Sequence, residues 1–315
     1  METNIVISNF WRRILALLID FVILGIIGFI IGMIFQDFFS NMGIYGPLFG
    51  MAIVIFYQTI FNSKVVNGQT FGKMILNIQV VDINGNTLNI DLSILRALIL
   101  SVPYFTINIS IPYISDISIL SIIKSIILFS MVLGVIVIYI FNNKTRQSLH
   151  DLLIGSYVVS TERNEELKPI PAVNKASFYI LGSLIILVIG FNIFFLTQKS
   201  ELGNLNIVNN KIEQINGVIQ SGVNKKTNVF YGEKKTVTKI YQANIRVSNL
   251  PDGNIENSKI VQDVVKIILR NESDIDNYDI LYVSLTKGFD IGIARYSSST
   301  NISKTPSEWR KILNI

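Results

Sequence analysis

The sequence contains no cysteine, and this absence removes several kinds of chemistry at once. A chain of 315 residues without cysteine can form no disulfide, no thiolate metal site and no thiol nucleophile. Its single histidine, His150, also excludes a metal site built from several histidines. We therefore expect no enzyme activity, no metal and no bound cofactor.

Charged residues are scarce as well. They make up 16% of the chain, hydrophobic residues make up 50%, and the mean hydropathy is +0.48, whereas an ordinary soluble domain is about a quarter charged. The net charge of +5 is scattered, and no basic stripe with interleaved aromatic residues occurs. This composition predicts a protein whose surroundings are a lipid bilayer and which has no nucleic-acid partner.

The hydrophobic residues are collected into runs long enough to cross a bilayer, since about 20 helical residues match the hydrocarbon core. The five runs are 14–35, 45–62, 95–114, 117–141 and 176–197. Pro103 and Pro112 interrupt the third run, so that run is the least regular of the predicted spans. The fold class predicted is an α-helical membrane bundle followed by a soluble α+β domain.

Lysine and arginine are distributed unevenly around these spans. They lie in the N-terminal segment, in the second loop and in the fourth loop, whereas the loops around Asp37 and Asp116 have none nearby. Because such residues are retained in the cytoplasm, five spans predict a cytoplasmic N-terminus and an extracytoplasmic C-terminal domain. With four spans, Lys144 and Arg146 would lie outside, and we therefore favour five.

The changes of composition along the chain predict four regions. Residues 1–160 form the membrane domain, 161–175 a cytoplasmic linker, 176–197 an additional span and 198–315 the extracytoplasmic domain. Within the first region, two β-prone segments flank Asn84-Gly85, which is a strong signal for a type I′ turn. We predict a small cytoplasmic β-hairpin at about 74–90.

The C-terminal domain alternates helical patterns with pairs of strand patterns. The helices are expected at about 204–220, 257–269 and 308–313, and the strands at 228–231, 236–247, 279–286 and 289–296. This alternation favours an α+β sandwich with one antiparallel sheet. The domain has no recognisable catalytic set, and the acidic group at 272–279 is interpreted as solvated loop charge, so a binding or sensing module follows by elimination.

One charged residue interrupts the first apolar run. Asp20 lies well inside that run, where a carboxylate is costly to insert and therefore has a partner or a task. Arg13 shares its helical face but lies about 10.5 Å away along the axis, too far for a direct bond. Each must therefore contact a polar side chain from another part of the chain. We expect these contacts to come from Arg146, His150 and Asp151, because residues 146 and 150 share a face if that segment is helical.

Three blocks of residues, in this order, resemble the RDD family of bacterial membrane proteins. They are Arg13 with Ile19-Asp20; Gly68-Gln-Thr-Phe-Gly72-Lys73 leading into Val80-Val81-Asp82; and Arg146-Gln-Ser-Leu-His150-Asp151-Leu-Leu-Ile-Gly155. The resemblance covers about 9–160. It implies a multi-pass protein of the bacterial plasma membrane, in which Arg13, Asp20 and Asp151 are the arginine and the two aspartates that name the family. Some members are regarded as sodium/proton antiporters, and others as partners or inhibitors of membrane enzymes.

The roles of these residues stay open between a functional and a structural interpretation. Asp20 is either a cation or proton site or half of a structural ion pair, and Arg13 is either part of that pair or a headgroup anchor. His150 is either a proton relay or a hydrogen-bond donor beside Asp151. The loop from Gly68 to Lys73 lacks the spacing of a phosphate-binding loop; we interpret it as a turn on the lipid headgroups, with Lys73 pairing phosphate or an acidic side chain.

Two functions are compatible with these features. The additional span and domain favour a non-catalytic membrane adaptor or regulator, whose exported domain binds a membrane protein or a cell-envelope partner. The alternative is a monovalent cation/proton antiporter that uses intramembrane carboxylates. The bundle is small and has no inverted repeat, so a transport path would require a homo-oligomer.

Overall fold

The computed structural model describes residues 4–110, 118–162, 168–197, 199–231 and 235–315. The chain divides into two compact units, which we call the helical unit and the sheet unit. The helical unit consists of the described residues of Met1–Ile31, Pro47–Leu196 and Ile291–Ala294; the sheet unit consists of those of Gly32–Gly46, Thr197–Asp290 and Arg295–Ile315. Each unit has its own architecture.

The N-terminal region consists mainly of apolar helices, as the sequence predicts. The helices in this region are α1 (Phe10–Ile34), α2 (Gln36–Asn41), α3 (Pro47–Phe61), α4 (Phe71–Ile75), α5 (Ile90–Thr106), α6 (Ile119–Phe141), α7 (Leu149–Ile154) and α8 (Ala176–Thr197). Among the described residues, four stretches are long and apolar enough to cross a membrane: Phe10–Ile34, Gly43–Phe61, Ile119–Phe141 and Ala176–Phe194. The predicted third span is represented by the 17 residues of α5, and the end of that prediction, 111–114, lies outside the described residues.

The prediction that two neighbouring strands pair as a hairpin at 74–90 is wrong. Strand β2 (Ile78–Val81) pairs antiparallel with a distant strand, β3 (Tyr157–Ser160), while residues 86–90 contribute a single bridge to Val81 and then enter α5. The turn at 82–86 does form, with Asp82 N donating to Asn86 O at 2.7 Å. The distant strand prevails because it buries Val158 with Ile78 and Val80 in one apolar cluster. A further short pair joins two strands, β1 (Asn4–Ile5) and β4 (Lys168–Pro169).

The sheet unit contains the strands and the amphipathic helices of the C-terminal region. Its elements are α9 (Lys199–Glu213), β5 (Val218–Tyr231), β6 (Lys235–Val247), α10 (Lys259–Asn271), β7 (Ile280–Asp290), β8 (Arg295–Lys304) and α11 (Pro306–Leu313). The strand order is β5-β6-β7-β8, with β6 and β7 parallel and the other pairs antiparallel. The prediction of an antiparallel sheet is therefore wrong, because α10 returns the chain to the end of the sheet where β6 began.

Three local boundaries of this unit also differ from prediction. The first helix ends at Glu213, and β5 begins at Val218, inside the stretch predicted to be helical. The turn between β7 and β8 lies at Ile291–Ala294 and not at 287–288, so that both strands are longer than expected. The predicted turn around Gly232 lies outside the described residues.

The acidic group at 272–279 is more ordered than solvated loop charge. Glu272 is only 5% exposed, and the Lys225 Nζ lies 3.1 Å from its Oε2 and 3.1 Å from Asp274 Oδ2. The Tyr241 hydroxyl donates to Glu272 Oε1 at 3.1 Å. Burial, reinforced by the Glu272 charge, raises the pKa of Tyr241 far above its usual value. These acidic residues tie the sheet to the segment after α10.

Candidate functional site

Polar side chains from distant parts of the chain meet inside the helical unit. They come from the first half of α1, the end of α3, the turn that leads into α4, the first half of α5, and α7. The two aspartates at the centre are almost inaccessible, with Asp20 3% exposed and Asp151 0% exposed. Buried carboxylates of this kind must be compensated by partners, and the two are compensated in different ways.

Asp151 is held by two arginines. Its Oδ1 accepts from Arg96 Nε at 3.0 Å and Nη2 at 2.9 Å, and also from Ser156 Oγ at 2.9 Å. Its Oδ2 accepts from Arg13 Nη2 at 2.9 Å and, as part of the capping box that begins α7, from Ser148 N at 3.4 Å. Asp151 thus joins α1, α5 and α7 through charge-assisted hydrogen bonds.

The balance of interactions keeps this carboxylate ionised. Burial by itself raises the pKa of Asp151, but the positive charges of Arg96 and Arg13 lower it by more, so the pKa lies well below its usual range. Both partners are guanidinium groups, whose planar set of N–H donors matches the two oxygens of a carboxylate. A carboxylate fixed by two guanidinium groups suits a structural clamp better than a site that loads and releases a proton.

His150 is a neutral member of the same network. Its Nε2 lies 2.9 Å from Arg96 Nη2, and its Nδ1 lies 2.7 Å from Ser148 Oγ. Arginine can only donate, so Nε2 is the acceptor and Nδ1 carries the proton that is donated to Ser148. Burial, together with the positive charges nearby, lowers the pKa of His150 to about 3. A proton relay at neutral pH therefore has no support, and His150 acts as a fixed acceptor for Arg96.

Asp20 is surrounded by neutral donors. Its Oδ1 accepts from the Tyr57 hydroxyl at 2.6 Å and from Gly72 N at 2.9 Å, and its Oδ2 accepts from the Thr70 hydroxyl at 2.6 Å. Among the described residues, no ion pair joins Asp20 to a lysine or arginine. The carboxyl oxygens are satisfied by short hydrogen bonds from neutral groups, and no salt bridge among the described residues reaches them.

The glycines of the second sequence block make this contact geometrically feasible. At Gly72, a Cβ atom would overlap the carbonyl oxygen of Ala16, so only glycine lets this backbone N–H come close enough to α1 to reach Asp20. At Gly68 the backbone is left-handed, with φ of +67°, and its carbonyl accepts from Val80 N at 2.9 Å. This loop is therefore a cradle for Asp20. The expectation of a turn lying on the lipid headgroups is replaced by that placement.

Lys73 faces a cavity rather than an acidic partner. A cavity of about 300 Å³ lies beside both aspartates; the charged and polar residues in its lining are Arg13, Asp20, Gln58, Lys73, Arg96, Ser148, His150 and Asp151. The Lys73 Nζ donates to Asn62 Oδ1. Burial, reinforced by the charge of Arg96, lowers the pKa of Lys73 to about 7. A lysine in this position changes its charge near neutral pH.

The predicted role of Arg146 is wrong. It lies before α7 in a left-handed backbone conformation, with φ of +53°, so it does not share a helical face with His150. Its guanidinium stacks over the Phe10 ring at 5.4 Å, and the contribution it makes to the network is its carbonyl oxygen, which accepts from Arg13. The cation that meets Asp151 beside Arg13 is Arg96.

The sequence contains a signal that could have identified Arg96. Ser93, Ala97 and Ser101 repeat at helical spacing, and all three are buried. Small residues at this spacing mark the face of a membrane helix that packs closely on its neighbours. Arg96 lies next to Ala97 on that inward side, whereas Tyr57 and Thr70 carried no comparable signal, because their role depends on a fold that brings them to Asp20.

The comparisons with known proteins are limited to one family. Residues 7–155 match the family model described as the RDD family. The chain matches none of the curated proteins and none of the solved structures with which it was compared. The matched range contains Asp20, Asp151 and every side chain named above as their partner except Ser156, which follows it directly.

Proposed function

We propose that this chain, whose residues 7–155 match the RDD family, is a membrane protein which exchanges a monovalent cation for a proton at Asp20. The observation that carries this proposal is the contrast between the two buried aspartates. Asp151 is compensated by two arginines, whereas Asp20 accepts only from neutral donors. Asp20 is therefore the carboxylate that we assign to a mobile ion, with Lys73 as a basic side chain near it in the same cavity lining.

The ligand chemistry around Asp20 suits a small hard cation. Besides its own two oxygens, the hydroxyl oxygens of Tyr57 and Thr70 lie 2.6 Å from the carboxylate. Oxygen donors of this kind are the ligands that hard cations prefer. A proton and a cation would compete for the same carboxylate, and such competition is the basis of antiport.

Two cavities that share Asp20 in their linings support the same proposal. Asp20, Gln58 and Leu100 line the 300 Å³ cavity beside the Asp151 network, and they also line a second cavity of about 440 Å³ further along α1. A transport site reached alternately from the two sides needs a path on each side of it. Two cavities that meet at one carboxylate supply the beginning of such paths.

We further propose that the protein lies in the bacterial plasma membrane with a cytoplasmic N-terminus and five spans. The first half of α1, the end of α3, the first half of α5 and the end of α6 all reach the polar network or its immediate neighbours; for example, Tyr139 near the end of α6 donates to Phe10 O at 2.9 Å. Helix α6 must then begin at the opposite membrane face. The chain from the start of α5 to the start of α6 has to cross the membrane, which supports a crossing by α5.

The test is cation-driven proton flux in proteoliposomes that contain the purified full-length protein. Sodium, lithium and potassium gradients are imposed in turn, and Asp20→Asn is compared with Asp82→Asn, whose carboxylate only closes an exposed turn. The proposal expects flux that Asp82→Asn retains and Asp20→Asn loses. Well-folded wild-type protein without flux under any of the three gradients would reject it.

A non-catalytic adaptor is the second candidate, and a basic groove on the sheet unit favours it. The groove, of about 740 Å³, lies between the end of α9 and α10; its charged lining residues are Lys211, Lys259, Asp263, Lys266 and Arg270. Among the described residues, Lys259, Lys266 and Arg270 form no ion pair with a carboxylate. Such a surface suits an anionic cell-envelope partner.

The adaptor candidate predicts salt-dependent binding of a polyanion. Labelled polyphosphate is titrated onto the full-length protein in lipid nanodiscs, and binding is followed by fluorescence anisotropy. Reversal of charge at Lys259 and Lys266 should abolish binding, whereas reversal at Lys226, an exposed lysine of β5, should leave it unchanged. Equal affinity for all three proteins would remove the support that the groove gives.

A further inference from the structure

A short apolar turn between two strands packs among the membrane helices. Residues Ile291–Ala294, with the sequence Ile-Gly-Ile-Ala, connect β7 to β8 and belong to the helical unit. The turn is closed by a hydrogen bond from Ile291 N to Ala294 O at 3.1 Å. It carries no charged side chain, and its Ile291 is 0% exposed. We call these four residues the 291–294 segment.

The helices that receive this segment carry glycines at the points of contact. On α1, a Cβ atom at Gly28 would lie 2.7 Å from Ile293 Cγ1, closer than real Cβ contacts allow. On α3, a Cβ atom at Gly50 would overlap the carbonyl oxygen of Ile291. A side chain at Gly50 would collide with the backbone of the segment, and one at Gly28 would displace the Ile293 side chain, so α1 and α3 fit the segment where it lies.

The segment also forms part of the wall of the second cavity. Gly292 and Ile293 line that cavity of about 440 Å³ together with Asp20 and Gln58. The remaining lining is almost wholly apolar and comes from α1, α3, α5 and α6. The segment therefore forms one part of the wall of a cavity that also reaches Asp20.

We propose that the 291–294 segment is a gate, which closes the approach to Asp20 through the second cavity and opens when the segment leaves its seat between α1 and α3. This inference rests on the exchange proposed for Asp20 and adds its regulation.

The gate is tested first by an accessibility measurement that does not depend on transport. Ser101 lines the second cavity and is 1% exposed, and its hydroxyl has no hydrogen-bond partner within the described structure, so Ser101→Cys is a mild change. The native chain has no cysteine, so the introduced thiol is the only one that can react. The rate at which a water-soluble methanethiosulfonate modifies the Ser101→Cys protein is measured with the native segment and again with Ile293→Gly, both in the full-length chain.

The gate predicts that Ile293→Gly raises the modification rate of the Ser101→Cys protein by about tenfold or more, because loss of a packed isoleucine favours the open state. Ser130→Cys on α6 is the matched control, since Ser130 has a buried hydroxyl without a partner in the described structure and does not line the cavity. Its rate should not change. An unchanged rate for Ser101→Cys, or an equal rise for both cysteine variants, would overturn the gate.

A cross-link then connects the gate to transport. Gly28→Cys with Ile293→Cys should form a disulfide on oxidation, whereas Gly182→Cys with Ile293→Cys should not, because Gly182 meets nothing within 4 Å. The cross-linked protein should lose proton flux and regain it on reduction. Absence of the cross-link, or full flux in the cross-linked protein, contradicts the gate. Wild-type protein without flux rejects exchange, and the labelling experiment still decides whether the gate exists.

Discussion

Arg96 donates two hydrogen bonds to one oxygen of Asp151, from Nε at 3.0 Å and from Nη2 at 2.9 Å, across 55 residues of sequence. The pair is buried, with side-chain exposures of 6% and 0%. It fixes the start of α5 to α7 in the interior of the helical unit. Removing one member of a buried pair leaves an uncompensated charge, which is far more costly than losing a surface pair.

This pair predicts that substitution of Arg96 destabilises the protein much more than substitution of Arg146. We expect Arg96→Gln to lower the free energy of unfolding by about 3 kcal/mol or more. Arg146→Gln should cost less than about 1 kcal/mol, because the network uses only the backbone carbonyl of that residue. Denaturant unfolding of the protein in mixed micelles measures both values. Equal decreases in the free energy of unfolding for the two variants would show that the buried pair of Arg96 and Asp151 does not contribute more to stability than the side chain of Arg146.

Substitution of Asp20 or Asp151 should lower the stability of the protein far more than substitution of the exposed Asp82. Asp20→Asn and Asp151→Asn each replace an acceptor by an amide whose N–H atoms face hydrogen-bond donors, so we expect reduced yield and lower thermal stability for both. Asp82 Oδ1 accepts from Asn84 N and Asn86 N in an exposed turn, and Asp82→Asn should remain close to wild type. Expression and melting temperature of the three variants decide this, and equal, mild effects would remove the idea of a buried polar network.

The burial of His150 predicts a loss of stability in mild acid. Its pKa is lowered from 6.5 to about 3, so between these values the unfolded chain binds a proton that the folded chain does not. The contribution of neutral His150 to the free energy of unfolding is therefore fully present above pH 6.5 and is lost as the pH decreases toward 3. The loss is about 1.5 kcal/mol between pH 6.5 and pH 5.

The measurement is unfolding free energy as a function of pH for wild type and His150→Gln. The glutamine variant keeps a side-chain acceptor for Arg96 and does not titrate, so this part of the pH dependence should disappear even if its overall stability is lower. The same slope in both proteins would mean that His150 is not the group responsible.

Gly72 should tolerate no side chain. A Cβ atom there overlaps the carbonyl oxygen of Ala16, and moving the loop away would break the bond from Gly72 N to Asp20. We expect Gly72→Ala to destabilise the protein by about 2 kcal/mol or more. Gly182→Ala on α8 has open space around it and should be neutral or slightly stabilising. Melting temperatures of the two variants provide the comparison.

Features governed by local sequence could be predicted. The final span is an uninterrupted apolar run between two lysines, and the helix found there, Ala176–Thr197, has the predicted limits. The apolar helices of the N-terminal region and the strands of the C-terminal region follow likewise from hydrophobic patterns. A turn does form at 82–86, where the Asn-Gly signal lies, but it is not of the predicted type I′, because Gly85 has a positive φ of +79° whereas Asn84 does not.

Features governed by distant partners could not be predicted. Strand β2 pairs with β3 and not with the segment that follows it in the chain. Burial of its apolar side chains with Val158 contributes more free energy than the lower entropic cost of closing a short loop. The parallel pairing of β6 and β7 depends on where α10 returns the chain. Arg146 was favoured over Arg96 for the same reason, since proximity in sequence to Asp151 gave no information about which guanidinium the fold would bring to it.

A cation-induced infrared difference spectrum of the full-length protein in lipid tests most directly whether Asp20 exchanges a proton for a bound cation. We predict that adding sodium at constant pH produces bands in the carboxylate stretching region which Asp82→Asn retains and Asp20→Asn loses. Thr70→Val, which keeps the carboxylate but removes one of its donors, should shift these bands. Unchanged bands in Asp20→Asn, or no sodium-dependent bands in wild-type protein, would contradict the account.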